Sequence, residues 1–124
     1  MDTIHLEPSN KTPEVVFDPK GLIKIRGRSI HEDPDKYFTP LLKWVEEYCQ
    51  NPPEVTNVEI AMEYFNSSSA KYILNILQMI TGLLEQGHQV KINWLYEEGD
   101  DDILERGQYY SSVLQIPFDY KETE

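Results

Sequence analysis

Val55-Thr56-Asn57-Val58-Glu59-Ile60-Ala61-Met62-Glu63-Tyr64-Phe65 runs directly into Asn66-Ser67-Ser68-Ser69 and then into Ala70-Lys71-Tyr72-Ile73-Leu74-Asn75-Ile76-Leu77. The first segment alternates, with Val58, Ile60, Met62 and Tyr64 on one side of an extended chain and Glu59, Ala61 and Glu63 on the other. The last has a different period. Ile73, Ile76, Leu77, Ile80, Leu83 and Leu84 recur at helical steps, predicting a helix over 70–85 with Gly87 as its left-handed cap. A strand therefore hands over to a helix through a polar tetrad. Three hydroxyls lie where the first helical N–H groups have no partner, in a field that favours negative charge.

Downstream, Val90, Ile92, Trp94 and Tyr96 alternate with Lys91 and Asn93. A strand reached from another through a helix implies a parallel, right-handed crossover. The acidic run Glu97-Glu98-Gly99-Asp100-Asp101-Asp102 leads into a helix over 103–113, where acids suit the positive end of the helix dipole. Its spacing fails as a calcium loop, because Leu104 stands where an oxygen ligand is wanted, so no metal is expected. Gln115 to Tyr120 reads as a short edge strand.

Upstream, Phe38, Leu41, Leu42, Val45, Tyr48 and Cys49 predict an amphipathic helix over 36–50, capped by Asp33 or Asp35 and ended by Asn51-Pro52-Pro53. Before it, Glu14 to Arg28 reads as a hairpin turning at Asp18-Pro19-Lys20-Gly21. Pairing Phe17 with Ile23 puts Val15 beside Ile25 on one face and Glu14 opposite Arg26 on the other, where Lys24 and Arg28 complete a basic row. Ile4 to Leu6 reads as a first short strand. These strands have one apolar and one charged face, whereas a doubly wound sheet shows near-continuous apolar strands. The expected architecture is α/β in two layers: a mixed sheet with an N-terminal hairpin, helices mainly on one face, and an ion-paired face open to water. Residues 1–124 are read as a single domain.

Eleven Lys and Arg against 22 Asp and Glu give a net charge of −11, which disfavours nucleic acid and anionic membrane and favours partners with basic patches. The first residues lack a basic start and apolar core, no run approaches a membrane span, and a cytoplasmic address is expected. Cys49 stands alone and reads as a buried structural thiol. No catalytic constellation is visible. His5, His31 and His88 lie in separate segments, no Gly-rich phosphate loop is present, and Glu59 and Glu63 fall roughly 13 Å apart on an extended strand, too far to share a proton. No enzyme activity and no cofactor are expected.

Two readings of Asn66-Ser67-Ser68-Ser69 stand side by side. In one, the residues cap a helix and do nothing else. In the other, a hydroxyl accepts a phosphoryl group that carries about −1.5 to −2 charges, tolerated by the helix start yet able to change what docks there.

The order hairpin, helix, strand, serine-rich turn, helix, strand, helix, together with Tyr64-Phe65-Asn66-Ser67-Ser68-Ser69-Ala70-Lys71, Pro13-Glu14-Val15 and Val90-Lys91-Ile92-Asn93-Trp94-Leu95-Tyr96, resembles the SiaC family of bacterial regulatory phosphoproteins. The family's fold is similar to that of STAS-domain anti-sigma-factor antagonists. The resemblance implies a non-catalytic, partner-switching regulator, modified in trans by a cognate Ser/Thr kinase and a PPM-type phosphatase. Its unphosphorylated form would engage an effector, in some systems a diguanylate cyclase. The family's acceptor directly follows the Asn and is commonly Thr; that position is Ser67 here, with Ser68 and Ser69 as alternatives. Asn66 replaces the acid of the STAS pattern and Ala70 its Gly, which favours the SiaC-like reading. The docking surface would then comprise Asn66, Ser68, Lys71, Tyr72 and Asn75, with Met79 at its edge, although helical spacing favours Tyr72 and Met79 as peripheral core. The competing reading is a passive adaptor that binds through Lys24, Arg26 and Arg28 on the open sheet face.

Overall fold

The structure, a computed structural model, describes residues 1–123; Glu124, the last residue of the expected domain, lies outside the described residues. Three strands, β1 (Ile4–Leu6), β2 (Glu14–Asp18) and β3 (Leu22–Ser29), form an antiparallel meander. They are followed by α1 (Pro34–Tyr48), β4 (Val55–Phe65), α2 (Ser67–Thr81), a 3-10 turn (Gly82–Gln86), β5 (Gln89–Glu97), α3 (Asp101–Leu114) and β6 (Asp119–Thr123). Strands β3 to β6 pair in parallel, and the six lie side by side in chain order.

That order accounts for the two layers. Each helix connects a parallel strand to the next one over, always in the same direction, and crossovers of one hand that never reverse lay their helices on the same face. Val15, Phe17, Ile23, Ile25, Val58, Ile60, Ile92 and Trp94 point from the sheet into this layer and are buried. They meet Phe38, Leu41, Trp44, Val45 and Tyr48 from α1, Ile73, Ile76, Leu77 and Ile80 from α2, and Ile103 and Tyr110 from α3. Two polar contacts tie helix to sheet inside the core: Tyr48 Oη to Thr56 Oγ1 at 2.6 Å, and Trp94 Nε1 donating to the Ile103 carbonyl at 2.9 Å.

The hairpin register is the one expected, with Phe17 opposite Ile23, Val15 opposite Ile25 and Glu14 opposite Arg26. On the open face Lys24 bridges Glu14 at 3.8 Å and Glu59 at 3.7 Å. Helix caps follow the sequence as well. Asp33 Oδ1 accepts from Lys36 N, Asp100 Oδ1 from Ile103 N, and Gly87 closes the 3-10 turn at φ +88°. Pro40 sits inside α1, exposed; the helix continues past it because five core side chains on the opposite stripe hold it to the sheet.

Four boundaries differ from the expectation. The alternation of β4 breaks at Glu63, because the β3–β4 ladder steps from Gly27–Met62 to Arg28–Tyr64 and leaves Glu63 as an extra residue. Tyr64 is thereby turned out to solvent, 52% exposed, and Phe65 turned in. The second helix begins at Ser67 rather than Ala70, so the serines form its first turn. It also ends at Thr81, and the tighter 3-10 winding after it swings Leu84 out to 40% exposure. Finally, the last strand is Asp119–Thr123, not 115–120: Gln115 turns left-handed at φ +59°, Pro117 has no N–H for a ladder, and Phe118 is buried beside Trp94.

The core makes a sharp demand at Gly107. A Cβ there would lie 2.6 Å from Trp94 Cδ1 and Nε1, whereas one at Gly82 meets nothing within 4 Å. Gly107→Ala is expected to destabilise the protein by about 1–3 kcal/mol through overpacking. Gly82→Ala is expected to stabilise it by about 0.5–1 kcal/mol, its φ of −59° being open to any residue. Urea unfolding of the two variants checks both, and equal shifts would contradict the packing of α3 on Trp94.

Candidate functional site

The handover from β4 to α2 is held from three directions. Asn66 N donates to the Ser29 carbonyl at 3.1 Å, extending the β3–β4 ladder by one rung past the strand. The Asn66 side chain then caps α2, its Oδ1 accepting from Ser69 N at 2.9 Å, while its carbonyl accepts from Ala70 N at 2.9 Å. From α3, Tyr110 Oη donates to the Ala70 carbonyl at 3.2 Å. Asn66 thus takes the capping role itself. The Ser67 and Ser68 side chains, in the first turn, are exposed and free of it.

Ser69 is different. It is fully buried, and Ser29 Oγ donates to Ser69 Oγ at 2.8 Å. Ser29 Oγ is also hydrogen-bonded to His31 Nδ1 at 3.1 Å. The imidazole packs against Tyr37 and Phe38, with ring centroids 4.3 and 5.5 Å away, and its Nε2 is buried without a partner. Burial pulls the His31 pKa below its ordinary value, so the ring is neutral near pH 7. The chain His31–Ser29–Ser69 pins the start of α2 to the end of β3. Ser69 Oγ, offered as an alternative acceptor, is enclosed and already hydrogen-bonded.

Tyr72 lies in the core, the role its helical spacing favoured. It is 7% exposed and stacks on Phe38 with centroids 5.0 Å apart and planes 3° from parallel, so it belongs to the α1–α2 packing and offers no docking face. The remaining expected residues divide between two edges of α2. Ser67 and Lys71 share a shallow hollow with Ala70, Leu74, Arg106 and Tyr109 on the α3 side. Asn75 and Met79 line a separate groove toward α1, with Leu42, Glu46 and Gln78. Sequence reasoning missed Arg106 and Tyr109 on α3. One signal was available: 22 of 124 residues are acidic, yet none lies between Glu63 and Glu85, so α2 is an acid-free strip on an acidic chain.

Elsewhere, Lys24, Arg26, Glu59, Glu63, Tyr96 and Glu97 line a groove on the open sheet face. Cys49 is half-buried with its thiol pKa raised by burial, and its Sγ approaches the Met79 carbonyl at 3.6 Å. No group of three His, Cys, Asp or Glu among the described residues is placed to hold a metal ion, and no helix is long and apolar enough to cross a membrane.

Comparison with known proteins gives this geometry a setting. The chain is similar to an uncharacterized protein of Pseudomonas aeruginosa strain UCBPP-PA14, 23% identical over 119 residues that cover 95% of this chain and 94% of the relative. Its fold matches the crystal structure of apo-SiaC from Pseudomonas aeruginosa, with a TM-score of 0.86, 21% identity and full coverage of both chains. It also matches SiaC in a crystal structure with the diguanylate cyclase SiaD, which SiaC activates, with a TM-score of 0.89, 21% identity and coverage of 97% and 99%. The model of the family described as "SiaC family regulatory phosphoprotein" matches residues 6–123, so the chain belongs to the SiaC family and is a regulatory protein rather than an enzyme.

Proposed function

We propose that this protein is a cytoplasmic phosphoswitch in which Ser67 is the acceptor and the unmodified α2–α3 surface docks a diguanylate cyclase. The observation that carries the reading is the contrast among three adjacent hydroxyls. Asn66 does the capping, Ser69 is locked in the core, and Ser67 is exposed beside the free N–H groups of the first turn of α2. A phosphoryl group on Ser67 Oγ meets a helix start that favours anions and leaves the core untouched. Ser68 is the remaining alternative, exposed but one position further along the turn.

A Ser/Thr kinase would transfer the γ-phosphoryl of ATP to Ser67 Oγ, releasing ADP and the hydroxyl proton. A PPM-type phosphatase would use water to regenerate the serine and inorganic phosphate. The modification adds about two negative charges to a strip that carries no acid of its own. An effector that docks on that strip would meet a surface changed in charge and shape. The complex of SiaC with SiaD supports a cyclase as the effector.

The competing surface is the open sheet face. Its central cation, Lys24, is already engaged by Glu14 and Glu59, which leaves Arg26 and Arg28 to meet a partner. Half-buried ion pairs on an open sheet face more often keep a sheet soluble than recruit a ligand.

Ser67→Asp is expected to weaken capture of the cyclase at least about tenfold, a loss that corresponds to about 1.4 kcal/mol. Ser67→Ala should keep capture while abolishing phosphate incorporation by the kinase. Ser69→Ala is expected to cost about 1–2 kcal/mol of stability and leave incorporation intact. Pull-down with the purified cyclase, intact-mass spectrometry and urea unfolding read these three outcomes. Lys24→Glu/Arg26→Glu should leave capture unchanged; if it alone abolishes capture, the open sheet face is the docking site.

A further inference from the structure

Arg106 stands on α3 between two hollows of opposite character. On one side it shares a hollow with Ser67 and Lys71. On the other it faces a hollow that holds Glu63, Asp100, Asp102 and Glu105. Between the two, its guanidinium lies over the Phe65 ring, Cζ 4.9 Å from the centroid. Arg106 is exposed, and no carboxylate among the described residues forms an ion pair with it, even on a chain of net charge −11. Lys71 is likewise without an ion pair and rests over the Tyr72 ring at 5.1 Å. Two cations from two different helices, neither in an ion pair among the described residues, therefore flank one exposed serine in a hollow lined by no carboxylate.

Arg106 itself is exposed, held by the face of the buried Phe65 ring and the neighbouring Tyr110 hydroxyl, with carboxylates nearby but out of contact. A phosphoryl group within side-chain reach offers a stronger alternative: two charge-assisted hydrogen bonds to the planar fork of the guanidinium. Lysine, a point charge, can add attraction but no such fork.

We infer that Arg106 is the built-in reader of the phosphoryl group on Ser67, leaving the Phe65 face to clasp it across the hollow. This inference rests on Ser67 being the acceptor. Its consequence is that the two forms differ in shape as well as in charge. In the modified form the aromatic surface of Phe65 and Tyr109 is uncovered and the hollow beside α2 is filled by an internal ion pair. Lys71 contributes attraction from the near side.

The test installs phosphoserine at position 67 during translation, so that no kinase is needed, and follows its second ionisation by phosphorus NMR. In the otherwise unaltered chain the midpoint is expected below the value of about 6 for a free phosphomonoester. Arg106→Gln should raise it by about half a unit or more, and Lys71→Gln by less. In the unsubstituted chain, the Arg106 Nε–H proton resonance should move downfield when residue 67 carries the phosphate, a measurement that depends on no destabilised variant. An Arg106→Gln chain that melts normally yet titrates unchanged overturns the inference, as does an unmoved Nε–H resonance. Cyclase capture by the same samples separates the two proposals. Capture lost with a midpoint indifferent to Arg106 overturns the clasp and leaves the switch. A midpoint governed by Arg106 with capture undiminished supports the clasp and removes only the switch.

Discussion

The parallel ladder between β3 and β4 constrains the rest of the molecule twice over. Its register, from Leu22 opposite Asn57 to Ser29 opposite Phe65, sets which side chains of the two central strands enter the core. Its upper end sets where the chain leaves the sheet. The same rung that closes the ladder, Asn66 N to the Ser29 carbonyl, delivers Asn66 to its capping position, and Ser29 Oγ holds Ser69 from below. The extra residue at Glu63 matters for the same reason: without it Tyr64 would point inward and the turn that follows would be rotated to the opposite face of the sheet.

Packing energetics and site geometry are continuous here. The α1–α2 contact, with Tyr72 stacked on Phe38, and the α3 contact, with Tyr110 bonded to the Ala70 carbonyl, grip the first two turns of α2 from both sides. Gly107 lets α3 approach Trp94 closely enough to place Arg106 and Tyr109 at the edge of the serine hollow. A rigid platform of this kind suits a site whose chemistry is supplied from outside. On the proposed reading, the protein needs only to present one hydroxyl and one surface.

Much of the fold was legible because local pattern and global topology agree. Alternation in Val15–Phe17 and Ile23–Ile25 specified the hairpin and its register, and helical spacing specified three helices on one face. Legibility failed where a tertiary contact overrode a local period. Tyr64 continued the alternation of Val58, Ile60 and Met62 in sequence, but a bulge broke its phase. The three serines looked equivalent in sequence, and neighbouring elements made them unequal: Ser29 and His31 come from a strand end some forty residues upstream.

By itself, the sequence determined the two-layer class, the strand-to-helix handover at Asn66 and the acidic balance, because each rests on short-range spacing or composition; the family rests on resemblance to known proteins. Only the tertiary structure decided which serine is reachable and that Arg106 shares a hollow with Ser67 although 39 positions separate them in the chain. Those outcomes depend on which side chains from distant segments share a volume, and periodicity along a single chain carries no information about that.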